Sequence, residues 1–223
     1  MERKAVIFDL DGTLIDSMQV WRKVDAEFLG SRGIKVPDDL FEHLPNGNSF
    51  IQTAQYFKDR FELPDSVQSI MNEWTQMVTH HYQQDILLKV GAAELVHDLV
   101  SQGILLGLAT SNSRFLASAV LSRSGIWDCF TASVTGEEVK MGKPYPEIYQ
   151  KTACLLDIEA QDCIVLEDTL SGVQAGKAAG MKVIAIYDAD NLDQIPKIKS
   201  VADFYAEDYT QVRRILCNIN YIS

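Results

Sequence analysis

Apolar residues fall into two rhythms along this chain, and the rhythm changes near residue 87. Downstream, short continuous apolar runs alternate with stretches of helical spacing. The runs are Ile104 to Ala109, Cys163 to Leu166 and Lys182 to Tyr187, with weaker ones at Phe130 to Thr135 and Ala202 to Tyr205. Runs this short and this apolar fit strands covered on both faces. Helices are expected near 91–102, 113–124, 145–157, 170–180 and 208–218. In 113–124, Phe115, Leu116, Ala119 and Val120 share one spacing, with Asn112 or Ser113 as the N-cap. Such alternation predicts an α/β fold, a doubly wound and mostly parallel sheet with crossover helices. The first run, Ala5-Val6-Ile7-Phe8, has the same buried character and joins that sheet.

Residues 16–86 behave differently. Trp21, Val24 and Phe28 repeat at helical spacing, as do Ile70, Trp74, Met77/Val78 and Tyr82. No glycine or proline occurs from Ser66 to Val90, so a long helix should begin near Asp65 or Ser66. We therefore expect two units: a core formed by 1–15 and 87–223, and a helical cap at 16–86 inserted after the first strand. The aromatic stripes read as the internal packing of that cap.

With 223 residues the chain can bury a large core, and its 47% hydrophobic and 23% charged content is ordinary for a soluble protein. No apolar run approaches a membrane span, and Met1-Glu2-Arg3-Lys4 leads straight into a strand without a signal-like segment, so cytoplasmic residence is expected. A net charge of −11 disfavours nucleic acid and anionic membranes as partners. Any anion site must then be local, built from a metal, a lysine and backbone N–H groups. Cys129, Cys154, Cys163 and Cys217 show neither CxxC nor zinc spacing. His80-His81, the one histidine cluster, points to different faces of its helix. A monomer or weak dimer is expected.

Candidate chemistry collects at strand ends, where open parallel sheets place their ligand crevice. The first strand ends in Asp9-Leu10-Asp11-Gly12-Thr13. Extended backbone alternates with period two, so Asp9 and Asp11 point the same way, and Gly12 permits an immediate turn. Acids held this close suggest a divalent metal or an acid/base pair; a turn capping the strand is the plainer alternative. A calcium loop fits poorly, since Thr13 offers only a hydroxyl and the glycine comes early. The run ending at Ala109 delivers Thr110-Ser111-Asn112 before a helix, a setting for an anion. Cys163–Leu166 delivers Glu167-Asp168, and Gly142-Lys143-Pro144 supplies a cation on a stiffened loop.

In this order the set Asp9-x-Asp11-Gly-Thr, Thr110, Lys143-Pro144 and Glu167-Asp168 resembles the haloacid dehalogenase-like hydrolases. The insertion is similar to the helical cap of the β-phosphoglucomutase and phosphoglycolate phosphatase branch. The resemblance implies that Asp9 is a nucleophile forming an aspartyl-phosphate, and that Asp11 is first general acid and then base. It implies Mg²⁺ held by the Asp9 carboxylate, the Asp11 backbone carbonyl and Asp168, with Glu167 nearby. It also implies that Thr110, the Ser111 backbone and Lys143 hold the phosphoryl oxygens of a small phosphorylated metabolite. The expected activity is hydrolysis of a small organic phosphomonoester.

Rival readings weaken on the same residues. The dehalogenase branch lacks the second aspartate that this chain keeps as Asp11. P-type ATPases need membrane spans. A phosphonate-cleaving relative needs a Schiff-base lysine in the cap, and nothing places Lys23 or Lys58 at a reacting carbon. Sugar-phosphate mutases of the β-phosphoglucomutase type carry a histidine where this chain aligns Trp21, and they stand as the alternative. A non-catalytic binding protein is the other. Substrate choice is expected in the cap, with hinges near Asp16-Ser17 and Leu88 to Gly91. Candidate contacts there are Trp21, Arg22 and the loop Asn46-Gly47-Asn48-Ser49, each with a plainer structural role open to it.

Overall fold

A computed structural model of the chain describes residues 4–40 and 50–222. The strands are β1 (Ala5–Phe8), β2 (Leu105–Thr110), β3 (Ala132–Thr135), β4 (Cys163–Glu167), β5 (Lys182–Ile186) and β6 (Phe204–Ala206). The helices are α1 (Met18–Ser31), α2 (Phe50–Arg60), α3 (Val67–Gln84), α4 (Ala92–Ser101), α5 (Arg114–Arg123), α6 (Glu147–Leu156), α7 (Leu170–Ala178), α8 (Ile195–Val201) and α9 (Tyr209–Asn218). One six-stranded sheet runs in the order β3-β2-β1-β4-β5-β6. Every pair in it is parallel, where a mostly parallel sheet was expected.

Strand periodicity sorts the core into two layers. Val6, Phe8, Leu106, Leu108, Ile164, Leu166, Ile184 and Ile186 face the layer that holds the apolar sides of α4, α5 and α9. Their neighbours Ala5, Ile7, Ala109, Val165, Val183 and Ala185 face α6, α7 and α8. Burial on both faces explains why these strands read as unbroken apolar runs.

Helices α1–α3 fall between β1 and β2 in the chain, and no strand interrupts them among the described residues. Phe28 (α1), Phe57 (α2) and Trp74 (α3) meet edge to face, with ring centroids 4.9–6.2 Å apart. Ser66 caps α3 by accepting from the Ser69 N–H, where the composition placed the start of the helix. The two passages joining this insertion to the sheet lie side by side: Asp16 N–H donates to the Leu87 carbonyl, and Lys89 N–H to that of Leu14. Two helices went unread in the sequence, α2 and α8. The proline in the first turn of α8 sits where a helix has no N–H to lose.

Candidate active site

Strand order locates the crevice. The sheet winds outward in both directions from between β1 and β4, and in such sheets ligands bind beyond the carboxyl ends at that reversal. Asp9 follows β1, Glu167 ends β4 and Asp168 follows it. The ladder carries on past Phe8, with Asp9 N–H donating to the Leu166 carbonyl at 3.0 Å. Carboxylate oxygens of Asp9, Glu167 and Asp168 all lie within 4.8 Å of one another, and all three residues are buried.

One buried cation meets this charge. Lys143 Nζ stands 2.5 Å from both Asp9 Oδ1 and Glu167 Oε1. Tyr149 of α6 donates its hydroxyl to the same Glu167 oxygen at 3.0 Å. Glu167 Oε2 accepts from the Asp168 and Thr169 N–H groups and from the Thr169 hydroxyl at 2.9–3.0 Å. Glu167 is therefore fully engaged in fixing Lys143 and the β4–α7 turn. The first turn of α7 packs directly on it: a Cβ at Gly172 would come 1.7 Å from Glu167 Oε1. Asp9 Oδ2 accepts no hydrogen bond among the described residues, so Asp9 is anchored through one oxygen only.

Asp168 is oriented from two sides. Thr13 donates to Oδ1 at 2.9 Å, and Asn191, on the loop after β5, donates to Oδ2 at 2.8 Å. That loop also carries Asp188, paired with Lys89 at 2.7 Å, and Asp190, paired with Arg22 of α1. Gly12 fits here for two reasons: its φ is +81°, and a Cβ would lie 2.3 Å from Asp168 Oδ2. Gly12→Ala should cost about 1–2 kcal/mol from the left-handed backbone alone. It should also displace Asp168 and weaken Mg²⁺ binding, as read by calorimetric titration. Unchanged Mg²⁺ affinity would show that Asp168 is not the group displaced.

Burial pushes the Asp9 carboxyl up to about 8, against the pull of Lys143 and with Glu167 adding to the rise. Asp168 is pushed well up by burial and by its acidic neighbours Glu167 and Asp9. Burial lowers the Lys143 ammonium, but Asp9 and Glu167 outweigh it and hold it charged. One ammonium thus faces three carboxylates, and an all-oxygen donor set short of positive charge suits a hard divalent cation. Both aspartates bind protons more tightly in the folded than in the unfolded protein. Their protonation therefore favours folding below about pH 4; the Asp9 contribution fades as pH rises toward 8, and that of Asp168 fades in the same direction. Without a cation, the melting temperature should fall as pH is raised across this window. Mg²⁺ should flatten the slope and stabilise most at the alkaline end. Identical slopes with Mg²⁺ and with chelator would count against a cation at these residues.

Asp11 sits apart from this triplet, in a second polar cluster. Its Oδ1 accepts from the Ser17 hydroxyl at 2.6 Å and from the Tyr82 hydroxyl of α3; its Oδ2 accepts from Asn112 Nδ2 at 3.0 Å. Trp21 Nε1 and Asn112 Nδ2 donate to the Tyr82 oxygen at 2.9 and 2.8 Å. Burial and the nearby Asp11 carboxylate push the Tyr82 phenol well up, so it stays protonated.

Of the two N-caps open for α5, Ser113 is the one used: it accepts from the Leu116 N–H, while Asn112 turns to Asp11. Thr110 ends β2, buried, and its oxygen accepts the Asn112 N–H at 3.0 Å, leaving its hydrogen for a ligand. Ser111 is half-buried beside it. In the insertion, the Trp21 indole points to Tyr82 and Arg22 to Asp190, while Lys58 closes the end of α2 on the Leu63 carbonyl at 3.0 Å. Asn46 and Asn48 lie outside the described residues. Tyr82, Tyr149, Asn191, Lys89 and Asp188 were not singled out as site residues from the sequence. Among the described residues, no helix is long and apolar enough to cross a membrane.

Comparison with known proteins agrees with this architecture. The chain is 34% identical over 183 residues to a bifunctional riboflavin kinase/FMN phosphatase of Arabidopsis thaliana, covering 81% of this chain but only 48% of that protein. It is 32% identical over 188 residues to hexitol phosphatase A of Escherichia coli K12, covering 83% and 84% of the two. The crystal structure of CbbY from Rhodobacter sphaeroides in complex with phosphate superposes with a TM-score of 0.83 at 23% identity, over 93% of this chain and 95% of that one. The family profile described as haloacid dehalogenase-like hydrolase matches residues 6–186, and the chain belongs to that enzyme family.

Proposed function

We propose that this protein is a Mg²⁺-dependent phosphatase that hydrolyses a small phosphomonoester through an aspartyl-phosphate on Asp9. The observation that carries the reading is the Asp9 carboxylate itself, at the reversal point of the sheet: Oδ1 is held by Lys143, and Oδ2 accepts no hydrogen bond among the described residues. A carboxylate nucleophile divides one difficult displacement into two easier ones. Phosphoryl transfer is mainly positioning and charge neutralisation, and a bare carboxylate cannot approach a phosphate dianion unscreened. Lys143, the Thr110 hydroxyl and the Ser111 N–H would hold the phosphoryl oxygens. Asp9, Asp168 and the Asp11 carbonyl would hold Mg²⁺, with Glu167 behind Lys143. When bound, the ion supplies charge neutralisation to the phosphoryl group. Asp11 gives a proton to the leaving oxygen and later takes one from water.

Similarity to hexitol phosphatase A supports a phosphorylated sugar or polyol as the substrate class. Trp21 weakens the mutase alternative, because an indole N–H committed to Tyr82 cannot exchange a proton as histidine does. Residues 16–86 would form the cap that closes over the leaving group. The test is phosphate release from an aryl phosphate and from a panel of sugar and polyol phosphates, with Mg²⁺ and with chelator. Release that requires Mg²⁺ is expected. Equal rates in chelator, or no release across the panel, would overturn the reading.

A further inference from the structure

We propose that Tyr82, carried by the helical insertion, is a positioning residue for Asp11: it fixes which carboxyl oxygen carries the proton given to the leaving group. This rests on the phosphatase reading above and deepens it.

The hydrogen bonds of the cluster favour one arrangement, in which the Ser17 hydroxyl, which also lies beside the Tyr82 oxygen, gives its hydrogen to Asp11. Asn112 Oδ1 accepts the Ser113 N–H at 2.7 Å, which fixes the amide and turns its Nδ2 toward Tyr82 and Asp11. The Tyr82 oxygen takes two donations, one from Asn112 Nδ2 and one from Trp21 Nε1, and so has both lone pairs occupied. Its single hydrogen is left for Asp11 Oδ1. Oδ1 also receives the Ser17 hydroxyl, so two hydroxyl hydrogens occupy its lone pairs. In this arrangement a proton on Asp11 sits on Oδ2, which among the described residues accepts only from Asn112. In the transfer, that proton leaves Oδ2 for the departing oxygen as its bond to phosphorus breaks and Asp9 bonds to phosphorus.

The donors come from separate parts of the chain: Ser17 from the entry to the insertion, Trp21 from α1, Tyr82 from α3, and Asn112 from the start of α5. Tyr82 is fully buried, and its ring meets Trp21 edge to face at 6.2 Å. Packing alone would be served by phenylalanine. A hydroxyl at this depth, with one acceptor left to it, is the feature that packing does not explain. The acid–base group is thus complete only with the insertion seated on the sheet.

The experiment compares kcat/KM for an alkyl phosphate, whose leaving oxygen needs a proton, with that for 4-nitrophenyl phosphate, whose leaving group departs readily as an anion. Tyr82→Phe keeps the ring and removes the hydroxyl. Its kcat/KM should fall about 10- to 100-fold more on the alkyl than on the nitrophenyl ester, part of the 10²–10⁴ that proton transfer supplies. Trp21→Phe and Ser17→Ala, which each remove one donor from the same network, should show the same preference to a smaller degree. They decide the matter if Tyr82→Phe does not fold. Equal losses on both esters, or no loss on either, would overturn the role of Tyr82 and reduce it to packing. Wild-type protein that releases phosphate from neither ester would instead overturn the phosphatase reading.

Discussion

Asp9→Asn is expected to abolish turnover, by about 10⁴–10⁶-fold, while the protein stays folded. In the wild type, Oδ1 accepts the Lys143 ammonium at 2.5 Å. An ammonium only donates, so the asparagine amide must present its oxygen to Lys143 and its nitrogen to the crevice. An amide nitrogen there has no lone pair free for attack on phosphorus. Lys143 keeps Glu167 as its partner, and the amide replaces a carboxyl that ionises only toward pH 8 without a cation. In chelator the melting temperature should therefore hold near neutral pH and rise relative to wild type at the alkaline end. Two measurements check this. Rapidly quenched wild-type enzyme should carry a phosphoryl group on the peptide containing Asp9, and the variant should carry none. A variant that turns over at the wild-type rate would falsify the covalent mechanism.

Most of the sheet could be read from the sequence because it is covered on both faces. A strand buried on two sides is a short, unbroken apolar run, and β1, β2, β4 and β5 were found that way almost to the residue. At the edge the signal thins. β6 lies at Phe204–Ala206, two residues beyond the start of the expected run, since its first two residues are only half-buried. Helix α2 escaped for a related reason: only Ala54 and Phe57 are buried in it, too narrow a stripe to stand out.

The candidate site divides along the same physical line. Asp9, Lys143 and Asp168 were legible because strand ends, a glycine and a proline mark where the backbone must turn, and the sheet brings strand ends together. Thr110 was legible for its place just before a helix. Tyr82 was not, since helical spacing reports which face a residue occupies and says nothing of where a hydroxyl points. It was read with Ile70, Trp74 and Val78 as packing, which describes its ring and misses its oxygen. A tyrosine inside an otherwise apolar stripe was the available signal, because a buried phenol needs a partner. Asn191 had no such signal. It reaches Asp168 through a loop whose course depends on β5, α8 and the Asp188–Lys89 pair, all distant in the chain.

Lys143→Ala is the change expected to damage both stability and turnover. The ammonium is buried between Asp9 and Glu167, and the Tyr149 ring lies 5.3 Å below it. Its removal leaves three buried carboxylates within 4.8 Å of one another and no cation among them. Breaking a buried ion pair on one side costs about 3–5 kcal/mol, because the remaining charge is stranded. For a chain of this length that lowers the melting temperature by roughly 6–20 °C. Turnover should fall about 10²–10³-fold, the loss found when a preorganised donor to a developing oxyanion is removed. Arginine is not a substitute, since its planar fork cannot occupy a slot shaped for one ammonium. Two further measurements separate charge balance from phosphoryl binding. Saturating Mg²⁺ should restore part of the stability and little of the rate. Lys143→Met combined with Glu167→Gln removes a stranded charge along with the cation, so it should melt higher than Lys143→Met alone and be equally inactive. If Mg²⁺ or the second substitution brought the rate back, Lys143 would serve the fold only, and the phosphoryl oxygens would need another cation.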